Sequence, residues 1–422
     1  MKVYVAIPVL DELEWIDRCL DALAAQDYPN AEIWLCVNQP EAWWDDPNKH
    51  HACEHNLETL RLLKISTRPR FREIDRCSPG RGWAPGEGGV GRARKTIMDR
   101  IAEEADEDDL IVSLDADTVV SQSYLSDLVD SFRRFPEIIG IAAPYYHRLT
   151  GTEAVDRQIL RYECYLRNYA LNLWRIGSPY AYTALGSAVA LTVRNYRSIG
   201  GMPARESGED FYFFQRMRKA GRLIQWLPSR VYPATRFSDR VPFGTGAAML
   251  KGAREGWDAY PIFPMTLFDR IGETVHCFPA LFEGDVETPL TPFLQDHFRT
   301  DDFWEPLRRN HSSVERFARA CHERLDGLRI FQYLRTTHKG EIGVAPGSDE
   351  LNLMATLRWC RKQFGPALPL AIQDCRQARY PFDTGEPETW SFKTIDLATL
   401  DIMRRYLCAA EDCYRRLDIG LE

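Results

Sequence analysis

The chain has no uninterrupted apolar segment long enough to cross a membrane. A membrane-spanning helix needs roughly 18 or more apolar residues in succession, and charge or proline breaks every such run in this 422-residue sequence. A charged amino-terminal region followed by an apolar stretch and a cleavage site is also missing, because residues 1–7 have the pattern of a strand. We therefore expect a soluble protein without a signal peptide or transmembrane segment, for which any membrane contact would be peripheral.

The cysteines form no C-x-x-C pair, and their number, eleven, is odd. This pattern argues against a disulfide framework and against the common paired-cysteine zinc sites. Three histidines and a cysteine crowd into residues 50–55, but no second ligand pair completes a zinc spacing, so a polar helix surface is the better interpretation. The crowded residues are His50, His51, Cys53 and His55. We expect reduced thiols and a cytoplasmic location.

An excess of positive charge is missing as well. The 61 acidic residues outnumber the 53 basic ones, which gives a net charge of -8 and a pI of about 5.7. Binding to nucleic acid depends on basic side chains that neutralise phosphates. The composition therefore predicts that nucleic acid is not a partner.

A strand pattern that ends in two carboxylates is the strongest chemical signal that is present. Residues 110–114 are mostly apolar and lead directly into Asp115 and Asp117. Such a run suits a buried parallel strand, and ligands of open α/β sheets bind at the carboxyl ends of strands. Two carboxylates in D-x-D spacing can share Mg²⁺ or Mn²⁺ with the phosphate oxygens of a substrate. The alternative is that Asp117 caps the next helix, which needs only one of the two acids.

The amino-terminal segment has the pattern of a βαβ unit. A first strand over residues 3–7 ends at Pro8, and a second strand over residues 32–37 ends at Asn38. Between them lies a helical pattern with one apolar face. Parallel strands joined in this way have a right-handed crossover. We expect an α/β fold with a Rossmann-like, mostly parallel sheet flanked by helices.

Glycine and basic residues surround a predicted helix start near Val90. Residues 79–91 are rich in glycine, and Arg92, Arg94 and Lys95 follow in the first turn. The helix dipole disfavours positive charge there, so this placement indicates an anionic ligand close to the backbone. The spacing matches neither the P-loop nor the dinucleotide fingerprint, and a solvated basic turn stays the alternative.

Two further segments are candidates for chemistry. Glu209 and Asp210 follow Gly208 and open a predicted helix, where the ordinary interpretation is a pair of acids that satisfies the helix dipole. Residues 236–246 mix charge, a hydroxyl group and glycine without an apolar period, which is typical of an ordered functional loop.

The residue composition and the hydrophobic pattern of the sequence change after about residue 260. Prolines break the chain into short pieces, and long charged helical patterns follow over residues 302–335, 349–364 and 388–416. We expect a catalytic domain over residues 1–260 and a mainly helical carboxyl-terminal domain over residues 261–422.

Four segments, in this order, resemble motifs of family 2 glycosyltransferases of the GT-A fold. They are the strand end Ile-Pro-Val-Leu-Asp-Glu12, the segment Gly-Val-Gly-Arg-Ala-Arg-Lys95, the strand end Leu-Asp-Ala-Asp117, and Gly208-Glu-Asp210 after a Gly-Gly-Met-Pro turn. The resemblance covers about residues 1–250. It implies a hexosyltransferase-like enzyme that moves a sugar from a nucleotide-diphosphate sugar to a hydroxyl acceptor, with inversion and with Mn²⁺ or Mg²⁺.

The resemblance also implies roles for individual residues. It assigns the metal to Asp115 and Asp117, and the catalytic base to Asp210 with support from Glu209. The residues assigned to the nucleotide are Pro8, Val9, Glu12, Asn38, Arg92, Arg94, Lys95 and Asp115. Trp83, Asp239 and Arg240 are expected in loops on the acceptor side. Asn38 stands where many members have Asp, so the nucleobase is not specified.

Two other functions fit parts of the same pattern. A nucleotidyltransferase of related architecture would also use acidic metal ligands and a basic loop, but it would not need Glu209 and Asp210. A non-catalytic binder of nucleotide-sugars or glycans could use Trp43, Trp44 and Trp83. The Gln-x-x-Arg-Trp signature of processive synthases does not occur, so single transfer is expected over polymerisation.

Overall fold

A computed structural model describes residues 1–65, 71–206, 208–240, 244–342, 347–365 and 390–421. The chain folds into two compact units, each made of more than one segment. The first unit contains Met1–Val155, Ala184–Leu250 and Asp418–Leu421, and the second contains Asp156–Thr183 and Lys251–Leu417. The two units are described separately below.

A seven-stranded sheet forms the centre of the first unit, with strand order β3-β2-β1-β4-β7-β6-β8. Its strands are β1 (Val3–Val9), β2 (Ala31–Asn38), β3 (Phe71–Arg76), β4 (Leu110–Ser113), β6 (Gly140–Ala142), β7 (Val189–Thr192) and β8 (Leu223–Ile224). Strands β3, β2, β1 and β4 are parallel, whereas β7 runs antiparallel to both of its neighbours. The predicted mostly parallel sheet is therefore confirmed, with one reversed strand inside it.

Strand β1 lies in the middle of the parallel part and is buried over its whole length. The chain leaves it toward β2 on one side, while β4 pairs with it on the other side. Ligands of open α/β sheets bind where the strand order reverses in this way. The carboxyl ends of β1 and β4 therefore mark the place for a functional site.

Helices flank the sheet, and two short strands pair outside it. The helices are α1 (Ile16–Ala24), α2 (His50–Ile65), α3 (Val90–Glu104), α4 (Tyr124–Arg134), α6 (Val193–Ser198) and α7 (Glu209–Ala220), and a 3-10 turn spans Glu41–Asp45. The outer strands β5 (Val119–Val120) and β9 (Val231–Tyr232) are antiparallel. The sequence did not predict β3, β5 or β9, because β3 is a polar edge strand and the other two have two residues each.

The second unit is helical. Its helices are α5 (Glu153–Arg175), α8 (Thr245–Glu255), α9 (Met265–His276), α10 (Phe278–Glu283), α11 (Thr291–Phe298), α12 (Glu305–Arg309), α13 (Val314–Arg324), α14 (Gly327–Thr337), α15 (Ser348–Phe364) and α16 (Leu397–Asp418). Helices α5 and α8 begin in the first unit. The expected helical carboxyl-terminal region is confirmed, although the pattern over 302–335 is divided into three helices and residues 388–389 lie outside the described residues.

Buried ion pairs join α5 to α16 inside the second unit. Arg167 contacts Glu163 at 2.8 Å and also contacts Glu411, and all three side chains are fully buried. Arg404 lies 3.6 Å from Glu163 in the same cluster. Buried charges are tolerated when opposite charges neutralise them, and removal of one partner is costly. In the part of the chain that the structure describes, no helix has the length and apolarity of a membrane span.

Candidate active site

The two carboxylates of the D-x-D segment follow the carboxyl end of β4. Asp115 comes two residues after the strand and is 37% exposed, whereas Asp117 is more buried. Helix α4 begins only at Tyr124, after Ser123 at its N-cap position. Asp117 therefore does not cap this helix, and both acids lie at the predicted edge of the sheet.

Arg94 of α3 connects this segment to the start of α7. Its side chain is 3% exposed, and its guanidinium contacts Asp115 and donates to Ser113 Oγ at 2.5 Å. Nε of Arg94 lies 3.1 Å from Glu209 Oε1. The guanidinium also donates to the carbonyl oxygen of Gly186. We call Arg94, Asp115, Glu209 and Gly186 the Arg94 cluster.

Gly186 links the Arg94 cluster to Asp210. Its carbonyl accepts from Arg94, and its N–H donates to Asp210 Oδ2 at 3.1 Å. A Cβ atom at position 186 would overlap the guanidinium of Arg94, so a larger residue cannot be accommodated without displacing that side chain. Asp210 Oδ1 accepts from its neighbour Phe211 N–H at 2.7 Å. Two backbone N–H groups therefore hold the Asp210 carboxylate.

Both acids at the start of α7 have raised pKa values. Burial raises the pKa of Glu209 to about 7, and the charge of Asp210 adds to this, although Arg94 opposes it. Burial also raises the pKa of Asp210, with Arg94 and the backbone N–H groups acting in the opposite direction. Gly208 precedes the helix with a φ of 69°, a conformation that glycine adopts at little cost.

Two arginines of the 236–246 segment contact acids of the site. Arg236 Nη2 lies 2.6 Å from Asp117 Oδ2 and 2.7 Å from each carboxylate oxygen of Glu12. Arg240 Nη1 lies 2.5 Å from Glu12 Oε1. Burial and the charge of Asp117 raise the pKa of Glu12 to about 7, although both arginines lower it. Burial likewise raises the pKa of Asp117.

The pairing of β5 with β9 explains why Arg236 reaches Asp117. Val119 is paired with Tyr232, so the chain just after the D-x-D segment lies beside the chain just before Arg236. The sequence predicted an ordered functional loop here but did not assign Arg236 to the site. The signal available was two arginines four residues apart in a segment without an apolar period. Residues 241–243 of the predicted loop lie outside the described residues.

The residues predicted at the nucleotide come together only in part. Pro8 and Val9 lie in buried β1, and Asn38 donates to the carbonyl oxygen of Val9 at 2.8 Å. Trp83 donates through its indole N–H to Asn38 Oδ1 at 3.0 Å and is 4% exposed. Trp83, which was predicted on the acceptor side, is therefore buried against the residue that ends β2, and Asp239 is exposed.

The three basic residues at the start of α3 point to different places. Arg94 turns inward to the Arg94 cluster, whereas Lys95 contacts Asp99 on its own helix at 2.7 Å. Arg92 lies over the ring of Trp83, 6.0 Å from its centroid. A Cβ atom at Gly89 would lie 2.6 Å from Glu206 Cα, so the glycine at this helix start allows close packing against the segment before α7.

The carboxylates of the site fit a hard divalent cation. Arg94 contacts Asp115 Oδ1 and Arg236 contacts Asp117 Oδ2. The second oxygen of each carboxylate makes no hydrogen bond to any other described residue. Among the described residues no group of three or more His, Cys, Asp or Glu side chains could hold a metal by itself. These two carboxylate oxygens, one from Asp115 and one from Asp117, therefore suit an ion whose remaining ligands come from a bound phosphate.

Comparison with known proteins supports the motif resemblance. The model of "Glycosyltransferase like family 2" matches residues 1–249. No curated protein matches the chain. Among solved structures, Staphylococcus aureus TarS 1–349 in complex with UDP-GlcNAc is similar at 12% identity and a TM-score of 0.40, covering 80% of this chain and 92% of that chain. Mannosyltransferase PcManGT from Pyrobaculum calidifontis, in complex with GDP-Man and Mn²⁺, is similar at 16% identity and a TM-score of 0.36, covering 98% of this chain and 87% of that chain.

The two structural likenesses are distant, and the assignment rests on the family match and on the motifs that it spans. The match includes β1, the Arg94 cluster and the start of α7. It covers more than half of the 422 residues. The chain belongs to glycosyltransferase family 2.

Proposed function

We propose that the chain transfers a hexosyl group from a nucleotide-diphosphate sugar to a hydroxyl acceptor, with inversion and in a single, non-processive step. The observation that carries this proposal is the Arg94 cluster. One buried guanidinium contacts Asp115 of the D-x-D segment and Glu209, the neighbour of Asp210. A donor-binding carboxylate and a base are then held in one rigid arrangement, as a displacement reaction requires.

The donor side of the proposal concerns the diphosphate leaving group. Asp115 and Asp117 would hold Mn²⁺ or Mg²⁺, which supplies a positive charge to the phosphate oxygens. Arg236 and Arg240 lie at the same edge and can add positive charge where negative charge develops. Arg94 is too buried to contact phosphate, so its proposed role is to orient Asp115.

The acceptor side of the proposal concerns proton transfer. Asp210 is the proposed general base, since its carboxylate is held by the N–H groups of Gly186 and Phe211. Its raised pKa makes it a stronger base than an exposed aspartate. Attack by a hydroxyl group that this base deprotonates, without a covalent intermediate, gives inversion at the sugar. The absence of the Gln-x-x-Arg-Trp signature supports a single transfer.

We also propose that the chain has two domains. Residues 1–260 are the proposed catalytic domain and residues 261–422 the proposed helical domain, although residues 156–183 and 251–260 fold within the helical second unit. A cytoplasmic location stays a prediction from the scattered cysteines, which are odd in number and form no C-x-x-C pair.

The first test is metal-dependent nucleotide binding. Calorimetry with UDP, GDP, UDP-GlcNAc and GDP-Man is carried out with Mn²⁺ and with EDTA. We expect Asp117→Ala and EDTA each to abolish binding, while Asp130→Asn, which changes an exposed acid of α4, binds as the wild type does. Unchanged affinity in Asp117→Ala and in EDTA would show that the metal assignment is wrong.

The second test is Asp210→Asn. This change preserves shape and removes basicity, so we expect intact donor binding and a turnover lower by a factor on the order of 10² to 10⁴. Product NMR gives the anomeric configuration, and Asp130→Asn is again the control. A nucleotidyltransferase would retain its activity in Asp210→Asn, and a binding protein would turn over no donor in the wild type, so both alternatives predict a different result.

A further inference from the structure

The turn after β1 contains an unusual backbone conformation. Asp11 has a φ of 54°, one of two residues other than glycine with a positive φ among the described residues. Aspartate tolerates this left-handed region better than most residues, but it is still a sparsely populated conformation. The next residue is Glu12, which contacts both Arg236 and Arg240. The unusual conformation of Asp11 therefore lies directly before the residue that contacts both arginines.

Side chains of α2 hold Asp11 in this conformation. Its backbone N–H donates to Asn56 Oδ1 at 2.8 Å, and its carboxylate contacts His55 Nδ1 at 2.7 Å. From the other side, Arg240 donates to the Asp11 carbonyl oxygen at 2.9 Å. The N–H, the carbonyl and the side chain of Asp11 are thus all engaged.

Asn56 is itself fixed by a buried polar chain. Its side chain is fully buried and donates to Gln39 Oε1 at 2.8 Å. Gln39, also fully buried, donates through Nε2 to Cys53 Sγ at 3.0 Å, and its backbone N–H donates to the carbonyl oxygen of Arg76 at 3.0 Å. A buried polar network in which each group has its partner rigidifies the segments that it joins. One hydrogen-bonded network therefore joins the end of β2, helix α2 and the Asp11 turn.

This network explains the residues crowded into 50–55, which do not form a zinc ligand set. Cys53 contacts Gln39, His55 contacts Asp11, and His50 contacts the carbonyl oxygen of Trp44 at 3.0 Å. The ring of His51 contacts the ring of His55. Cys53 and His55 thus link α2 to the end of β2 and to Asp11.

We propose that Asn56 and His55 are positioning residues for the nucleotide. By holding Asp11 in the left-handed conformation, they place Glu12 against Arg236 and Arg240 and so prepare the turn for the donor. This inference rests on the proposed function. In this proposal the turn contacts the donor equally before and during transfer, so loosening it weakens ground-state binding and leaves the chemical step nearly unchanged.

The test measures binding and turnover for variants at three positions. For Asn56→Ala, His55→Ala and Asp11→Ala we expect the Kd for UDP or GDP and the KM for the donor to rise about tenfold, with kcat within about threefold. Asp11→Asn should recover most of the loss in Asp11→Ala, because asparagine tolerates the left-handed region and keeps an oxygen for His55. Glu54→Ala, which changes an exposed residue of α2 next to His55, is the matched control.

Several results would overturn the proposal. One is unchanged Kd and KM in the folded variants. Another is a loss confined to kcat, and a third is an Asp11→Asn variant that is as impaired as Asp11→Ala. If Asn56→Ala does not fold, the half-buried His55 provides the same comparison without disturbing the buried network. A wild type that binds neither UDP nor GDP would overturn the proposed function as well, whereas a wild type that binds and variants that match it would overturn only the role of Asn56 and His55.

Discussion

Replacement of Arg94 by methionine should destabilise the first unit strongly. The change keeps much of the side-chain volume and removes a charge that is 3% exposed. Glu209, 4% exposed, then loses its ion-pair partner, whereas Asp115, 37% exposed, can be solvated. Loss of one member of a buried pair costs about 3–5 kcal/mol.

This free energy predicts a large shift in melting temperature. A cost of 1 kcal/mol lowers the melting temperature by roughly 2–4 °C in a domain of this size, so Arg94→Met should melt about 6–20 °C below the wild type. The shift should be larger at pH 8 than at pH 5.5. Burial already raises the pKa of Glu209 to about 7, and without Arg94 the carboxyl group is protonated, and so uncharged, up to a higher pH.

The assay is thermal unfolding followed by circular dichroism at both pH values. Lys95→Met is the matched control, since Lys95 is the next residue of α3 and its i,i+4 pair with Asp99 is partly exposed. Such a pair contributes at most about 0.5 kcal/mol. A melting temperature for Arg94→Met within about 2 °C of that of Lys95→Met at pH 8 would refute the idea that the Arg94 cluster stabilises the site.

Three further predictions concern packing, pH and the second unit. Gly186→Ala should lower kcat more than tenfold, because its Cβ atom displaces the Arg94 guanidinium; steady-state kinetics measures this. The raised pKa of Glu209 means that its contribution to stability is complete below pH 4.5 and is lost as the pH rises through about 7. Urea unfolding from pH 5 to pH 8 should therefore show a steeper loss for the wild type than for Glu209→Gln. Glu411→Ala leaves Arg167 buried without one of its partners and should cost about 3–5 kcal/mol by urea unfolding, and a cost below 1 kcal/mol would contradict it.

Much of the sheet and the location of the site could be predicted from the sequence. Strong apolar patterns identify β1, β2 and β4, and the acids after β4 have to lie at the carboxyl edge of a parallel sheet. The glycines and basic residues near Val90 also predicted the start of α3. The antiparallel direction of β7 could not be predicted, because hydrophobic periodicity indicates which residues are buried but not the direction of a strand.

The contacts inside the site could not be predicted, because they depend on which side chain turns inward. Arg92, Arg94 and Lys95 are equivalent in a sequence pattern, yet in the structure Arg94 alone of the three contacts Asp115. Arg236 reaches Asp117 through the two-residue strand pair β5–β9, which is too short to produce a pattern. The capping hypothesis for Asp117 failed because the chain forms β5 before α4 begins.

The second unit is built from two chain segments that lie far apart in the sequence, and this affects its folding during synthesis on the ribosome. Helix α5 is synthesised between β6 and β7. The Glu411 partner of its buried Arg167 lies 244 residues further along the chain and is synthesised much later. At about 5–20 residues per second this interval lasts roughly 12–50 s. During this interval Arg167 can pair with Glu163 of its own helix, but Glu411 is not yet made. Nor can a stop after Leu250 release an independent catalytic unit, because α5 would remain attached without the helices that cover it.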